Sequence, residues 1–353
     1  MSADAFPFDY DLLCELTEAS GVPGYEDRVR DVVRRELDAT TDRVETDAMG
    51  NVVGTLEGES DYAVVVAAHM DEIGFMVKHV TDEGFLQVDA LGGWDTRVLR
   101  AQRCTVHTAD GDVPGVIGSA PPHTLDEEDL EGQPELDEIH IDLGLDGEAA
   151  AEAVDVGDLV TLSQTTTVVG EHVTGKALDD RVCVFQLLEA ARRIEDPAVT
   201  LHFAATVQEE VGLRGAQAIG VDLEPDLGVA LDVTVANDVP GFEAGEQVTR
   251  LGEGAAIKLK DGSVITTPKV VRRLRDVAED RDIDYQLEVL PSGGTDTAKL
   301  QSAGGAAPVG AISIPTRYLH TVTESAHGDD IAGAIDLLVA FLDTETGEHD
   351  YRS

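Results

Sequence analysis

The run Tyr62-Ala63-Val64-Val65-Val66-Ala67-Ala68 admits few placements. Unbroken apolar character without alternation, closed by His69, fits a central strand buried on both faces. An imidazole at the C-terminal end of such a strand stands where ligand sites of open α/β sheets gather. The run therefore commits the chain to an α/β core.

Around this strand the periodicity predicts helices at 9–19 and 25–39 and strands at 44–46 and 51–56. From 74 to about 165 the pattern changes to short strands at 74–80, 84–90, 103–108 and 158–163, with almost no helical periodicity. Helix then returns at 177–194, after Gly212, and at 268–280, 295–301 and 329–342, alternating with strands at 199–207, 226–233 and 285–289. The expected fold is α/β, with a mixed central sheet flanked by helices and an inserted small β-barrel-like domain. The α/β domain is expected to comprise 1–73 and 166–353, and the insertion 74–165.

A chain of 353 residues, 42 % hydrophobic, can bury a sizeable core, and no apolar run approaches the roughly 20 residues that span a bilayer. The first 27 residues hold no Lys or Arg, so the charged start of a secretory signal is missing and a cytoplasmic protein is expected. Seventy acidic against 25 basic residues give a formal charge of −45, which repels nucleic acid and anionic membranes as partners. With 19 Arg, 6 Lys and few aromatics, the composition resembles proteins of salt-accumulating halophiles. Molar salt shortens the Debye length to about 3 Å and screens such self-repulsion. The stretch 125–131 reads as an exposed acidic loop. Cys14, Cys104 and Cys183 are odd in number and lack a C-x-x-C pair, so Cys183 reads as a buried helical core residue.

Five segments carry the chemistry: Ala68 to Glu72, Gly175 to Arg181, Thr206 to Gly212, Leu231 to Val233 and Tyr318 to His320. Two histidines, two aspartates and one glutamate among them can hold a pair of divalent ions, which leaves a second glutamate for acid/base work. Asp71 lies two residues beyond His69, on the same strand face if the strand continues, where its carboxylate would fix the imidazole. Asp179 and Asp180 stand at a predicted helix start, and either can bridge two ions. Glu209 and Glu210 follow an apolar strand and diverge as neighbours, while Asp232 is expected to end the strand 227–231. Gly293 to Asp296 reads either as a substrate loop or as a helix N-cap made by Ser292 or Thr295. His79, His107, His140 and His202 read as structural or solvated.

The order and wording of these segments resemble the M42 family of metallo-aminopeptidases, which includes the tetrahedral aminopeptidases of archaea. The likeness runs from Ala19-Ser20-Gly21-Val22-Pro23-Gly24-Tyr25-Glu26 to His320 and takes in Pro121-Pro122-His123 and Ile141-Asp142-Leu143-Gly144. It implies a metallopeptidase fold acting on short peptides, with Glu209 as general base and Asp71 supporting His69. It further implies two divalent ions, zinc or cobalt with manganese admitted. One ion would take His69 and Asp232, the other Glu210 and His320, with Asp179 between them. The resemblance also implies a homo-oligomer of dimers building a tetrahedral dodecamer, assembled with the help of the inserted domain. His320 is followed by Thr321-Val322, where the family commonly has Ser-Pro. Alternatives are a related two-metal deacylase or carboxypeptidase and, from another class, a metal-free glycoside hydrolase, for whose sugar cleft 4 % aromatic residues is a poor endowment. H-E-x-x-H, G-x-S-x-G, P-loop and G-x-G-x-x-G motifs are absent.

Overall fold

A computed structural model describes residues 6–125, 132–302 and 304–352, so all but the first residue of the acidic stretch 125–131 lies outside the described residues. Helices α1 (Tyr10–Glu18) and α2 (Asp27–Thr40) turn Leu12, Leu13 and Leu16, and Val29, Val33 and Leu37, inward. The first is capped by Asp9, whose side chain accepts from the Leu12 N–H at 3.1 Å. Strands β1 (Arg43–Thr46) and β2 (Val52–Leu56) form a hairpin before β3 (Ser60–His69).

The chain next builds a closed barrel from β4 (Gly74–Val80), β5 (Phe85–Leu91), β6 (Gln102–Thr108), β7 (Gly111–Ile117), β8 (His140–Asp142) and, after α3 (Gly147–Ala153), β9 (Leu159–Leu162). The strand order is β4-β5-β8-β7-β6-β9, every pair antiparallel, around a core that includes Phe75, Val77, Leu86, Val88, Val106 and Val160. Closure removes free edges from this small sheet.

The chain returns through β10 (Thr167–Val169), β11 (His172–Gly175), α4 (Leu178–Arg193), β12 (Val199–Thr206), α5 (Arg214–Leu223), β13 (Leu227–Val235), β14 (Ala255–Lys260) and α6 (Pro268–Arg281). It ends with β15 (Tyr285–Val289), α7 (Thr297–Gln301), β16 (Val309–Arg317), β17 (Glu324–His327) and α8 (Gly328–Asp343). The large sheet runs β1-β2-β12-β3-β13-β16-β17-β11-β10, with β14 on β16 and β15 on β14. Its centre, β12-β3-β13-β16, is parallel, so those four strands end on one edge.

The mixed sheet, its helical layers and the barrel agree with the expected α/β class. In β3, Val64, Val66 and Ala68 join the core cluster built on α1, α4 and α8, while Val65 and Ala67 pack with Ile219 of α5 and Leu300 of α7. Among the described residues no helix is long and apolar enough to cross a membrane.

Two elements of the barrel region depart from expectation for identifiable reasons. Helix α3 spans only two turns of small residues, too little apolar surface to register as a period; Asp146 caps it by accepting from Ala149 N–H at 3.0 Å. Strand β7 carries Pro114 opposite Thr105 of β6, and β8 pairs with β7 only at Val116 and Ile117. Proline therefore falls on a locally free edge, where no ladder donor is lost.

Arg181 pins the layers together. Wholly buried, it donates from Nε to the Met70 carbonyl at 2.5 Å and from Nη1 to those of Leu16 and Ala19 at 2.6 and 2.8 Å. One side chain on α4 thus fixes α1 and the end of β3. Replacing Arg181 with Leu strips these carbonyls of their donors and is expected to cost about 3–5 kcal/mol of unfolding free energy, read by denaturant titration at fixed salt; an unchanged midpoint would contradict the pin.

Candidate metal centre

The C-terminal edge of the parallel strands gathers the acids and imidazoles. His69 is the last residue of β3, Glu209 and Glu210 lie in the loop after β12, Asp232 lies in β13, and His320 follows β16. Asp179 comes from the lead-in to α4. It and Asp180 have non-helical backbone angles (φ −77°, ψ 102° and φ −120°, ψ 27°) and are joined by a cis peptide bond, so regular helix begins only after them. All six of the residues expected to ligate or to act as base, His69, Asp179, Glu209, Glu210, Asp232 and His320, line one cavity of about 900 Å³.

Asp179 stands between the imidazoles. Its Oδ1 is 3.2 Å from His69 Nε2 and its Oδ2 is 3.4 Å from His320 Nε2. Glu210 Oε1 lies 3.6 Å from His320 Nε2, and Glu209 Oε2 lies 4.0 Å from His69 Nε2. Ligand atoms of His69, Asp179 and Asp232 fall within 4.8 Å of one another, as do those of Asp179, Glu210 and His320. Asp180, the other candidate, places Oδ2 3.2 Å from the His69 backbone N–H instead.

Both imidazoles are oriented for ligation through Nε2. His69 Nδ1 lies 3.1 Å from the Asp71 carbonyl and His320 Nδ1 2.7 Å from the Gly93 carbonyl. A carbonyl only accepts, so Nδ1 carries the proton and, in the neutral ring, Nε2 keeps its lone pair for a cation. The donors present, ring nitrogens and carboxylate oxygens, fit a divalent ion, and two overlapping triads offer them within bonding reach of a common centre.

The electrostatics express the same need. Burial, with Asp179 next, raises Glu210 to about 7, and burial holds Glu209 and Asp232 well above the carboxylate range. Burial would raise Asp179 too, but hydrogen bonds from His320 and His69 outweigh it and keep the carboxyl below its ordinary value. Burial pulls His320 down, yet Asp179 and Glu210 hold it up at about 10. A cation relieves the crowding that otherwise falls to protons.

Two expectations change in detail. Strand β3 stops at His69, so the Asp71 carboxylate does not chiefly serve the imidazole, from which Oδ1 stays 3.6 Å away. It accepts instead from the Glu209 and Glu210 N–H groups at 3.0 and 3.1 Å, fixing the loop that presents them. Nor does Asp232 end its strand: β13 continues to Val235 because pairing with β16 persists through Thr316. Gly293, Gly294 and Thr295 do line the cavity, whereas Asp296 precedes α7 without a side-chain cap and accepts from Thr206 Oγ1 at 2.5 Å.

Sequence reasoning missed Glu324. Buried at the start of β17, it accepts from the backbone N–H of Asp179 at 3.0 Å and of His320 at 2.8 Å, tying together two residues 141 positions apart. Its only signal was a glutamate at the start of the short strand Glu324–His327. The Lys176–Glu72 pair was likewise unforeseen; Lys176 Nζ meets both Glu72 oxygens, at 2.8 and 2.7 Å, beneath the site.

With this geometry established, the family profile described as M42 glutamyl aminopeptidase matches residues 50–337. The chain belongs to the M42 family of aminopeptidases. Its relatives include the lysyl aminopeptidase of Pyrococcus furiosus, 35 % identical over 95 % of this chain and 97 % of that one. An aminopeptidase from the archaeon Desulfurococcus kamchatkensis superposes with a TM-score of 0.92 at 39 % identity, covering 96 % of this chain and 95 % of its own. The TET1 peptidase of Pyrococcus horikoshii, which can assemble into a tetrahedron or a large octahedral shell, gives 0.86 at 32 % identity over 95 % and 99 %. M42 peptidases hydrolyse peptide bonds and depend on metal, and the acid-lined cavity provides for both.

The Glu324 clamp is testable through the metal. Glu324→Gln removes one of the two acceptors that orient Asp179 and His320, and is expected to weaken divalent-ion binding about 10- to 100-fold in a chelator-competition titration, with the ion-free fold retained by circular dichroism. Unaltered affinity would show that other contacts hold those two backbones.

Proposed function

We propose that this M42 peptidase removes N-terminal residues from short peptides, using two divalent ions held by His69, Asp179, Asp232, Glu210 and His320. The observation that carries the reading is Asp179, with one oxygen toward each imidazole at 3.2 and 3.4 Å. Asp179 would help hold one ion with His69 and Asp232 and a second with Glu210 and His320. Zinc or cobalt suits this donor set, and manganese is admitted by it. When bound, such ions supply Lewis-acid polarisation of the scissile carbonyl and acidify the attacking water.

Glu209 takes the water's proton and passes it to the departing amine, a task suited to a carboxyl raised by burial within reach of the cavity. Asp71 holds the Glu209 and Glu210 backbones during that exchange, and so supports the base. The surrounding carboxylates favour a substrate that enters with a positive α-ammonium group. That charge is what separates a free N-terminus from an acylated one.

The likeness to the TET1 peptidase supports a homo-oligomer in which dimers build a tetrahedral dodecamer. In that assembly the barrel, as the inserted domain 74–165 within catalytic segments 1–73 and 166–353, would carry contacts between subunits. A formal charge of −45 argues against nucleic-acid or membrane partners and fits a cytoplasm with molar salt.

Matched free and N-acetylated peptides, assayed in molar KCl with added cobalt or zinc, test the reaction. Release of the first residue from the free peptide alone, abolished by chelator, is the expected result; cleavage of the blocked peptide would transfer the assignment to a deacylase. Glu209→Gln is expected to retain its metal and lose turnover by about 10²- to 10⁴-fold, while Asp179→Ala loses metal, both followed by elemental analysis beside kcat. Full activity in Glu209→Gln would remove it as the base.

A further inference from the structure

The cavity is lined by acids and two histidines but, among the described residues, by no lysine or arginine that could pair with an acidic side chain. Its charged lining comprises Asp95 and the acids of the site, and none of the chain's 25 Lys and Arg residues lines it. All 25 fall within the described residues, since 1–5, 126–131, 303 and 353 contain no basic residue. Arg97 and Arg214 each stand beside a lining residue in sequence: Arg97 is held by Asp95 at 2.5 Å and Arg214 approaches Gln208 Oε1 at 3.5 Å. Away from the acids, the walls include apolar Trp94, Val98, Leu213 and Leu290 and neutral Ser292 and Gln133.

We infer that this enzyme prefers neutral aliphatic N-terminal residues, accepts basic ones next, and discriminates against Asp and Glu, unlike the glutamyl activity for which its family profile is described. The inference rests on the aminopeptidase reading. A carboxylate side chain entering the cavity loses water, and on walls away from the metal ligands it finds no lysine or arginine to pair with. A leucine side chain gives up only apolar contact with water and gains the walls formed by Trp94, Val98, Leu213 and Leu290. A lysine side chain meets Asp95, already partnered by Arg97, and so ranks between them.

The experiment compares kcat/KM for the p-nitroanilides of leucine, lysine and glutamate with the metal-loaded enzyme in molar KCl. Leucine is expected to exceed glutamate by at least about 100-fold, because the glutamate carboxylate is desolvated without a basic partner. Ser292→Lys, an exposed wall position at which no buried group is disturbed, is expected to raise the glutamate-to-leucine ratio at least about tenfold by adding the missing cation. Equal use of glutamate and leucine by the unaltered enzyme overturns the inference, and an unchanged ratio in Ser292→Lys overturns the placement of the side-chain subsite at this wall. Failure to release any of the three residues from a metal-loaded protein would overturn the aminopeptidase reading beneath it, and this inference with it.

Discussion

Like-charge crowding at the C-terminal edge of the parallel strands is the constraint to which the catalytic half of the molecule answers. Two unit charges about 4 Å apart repel by about 4 kcal/mol at an effective dielectric of about 20, and several acids here share one rim. The fold divides them by their partners. Asp71, Asp180 and Glu324 accept from backbone N–H groups. Asp179, Glu209, Glu210 and Asp232 line the cavity, and among the described residues their carboxylates receive no backbone hydrogen bond. The first group braces the loops through backbone N–H donors; the second is left for a cation and a substrate. Sorting acids by what donates to them separates the two roles without reference to position in the chain.

The same division explains what the sequence made legible. An unbroken apolar run ending in His69, and another ending before Glu209 and Glu210, are local signals, because a buried parallel strand must be apolar throughout and must end at the sheet's edge. Pattern therefore marks those ends as candidate positions, while the roles of Glu209 and Glu210 come from the resemblance to the family. The choice between Asp179 and Asp180 needs the direction of two adjacent side chains in a non-helical lead-in, which periodicity does not encode. Glu324 and the backbone contacts of Asp71 were invisible for a related reason: they reach N–H groups as far as 145 and 139 residues distant, and the backbone N–H leaves no residue type to read. Pro114 disguised β7 because its edge is free only once the barrel's pairing is known.

The barrel also enters the chemistry of the site. Beyond the end of β5, the Gly93 carbonyl accepts a hydrogen bond from His320 Nδ1–H, and so leaves Nε2 facing Asp179 and Glu210. Neighbouring Gly92 adopts φ +91°, where a Cβ would come within 2.4 Å of Ile73 Cγ2 and 3.3 Å of Glu210 Cβ, so the segment lies against the site because it lacks a side chain there. Trp94 then stacks on Phe75 of the barrel core, with centroids 4.9 Å apart, and donates from Nε1 to the Gly74 carbonyl at 3.0 Å. That anchor fixes a cavity wall to the barrel interior. A shift of the barrel relative to the sheet would move the His320 acceptor and the substrate wall together. Whatever stabilises the barrel, its own closure or contacts with another subunit, therefore also sets the orientation of one imidazole and the shape of the cavity beside it.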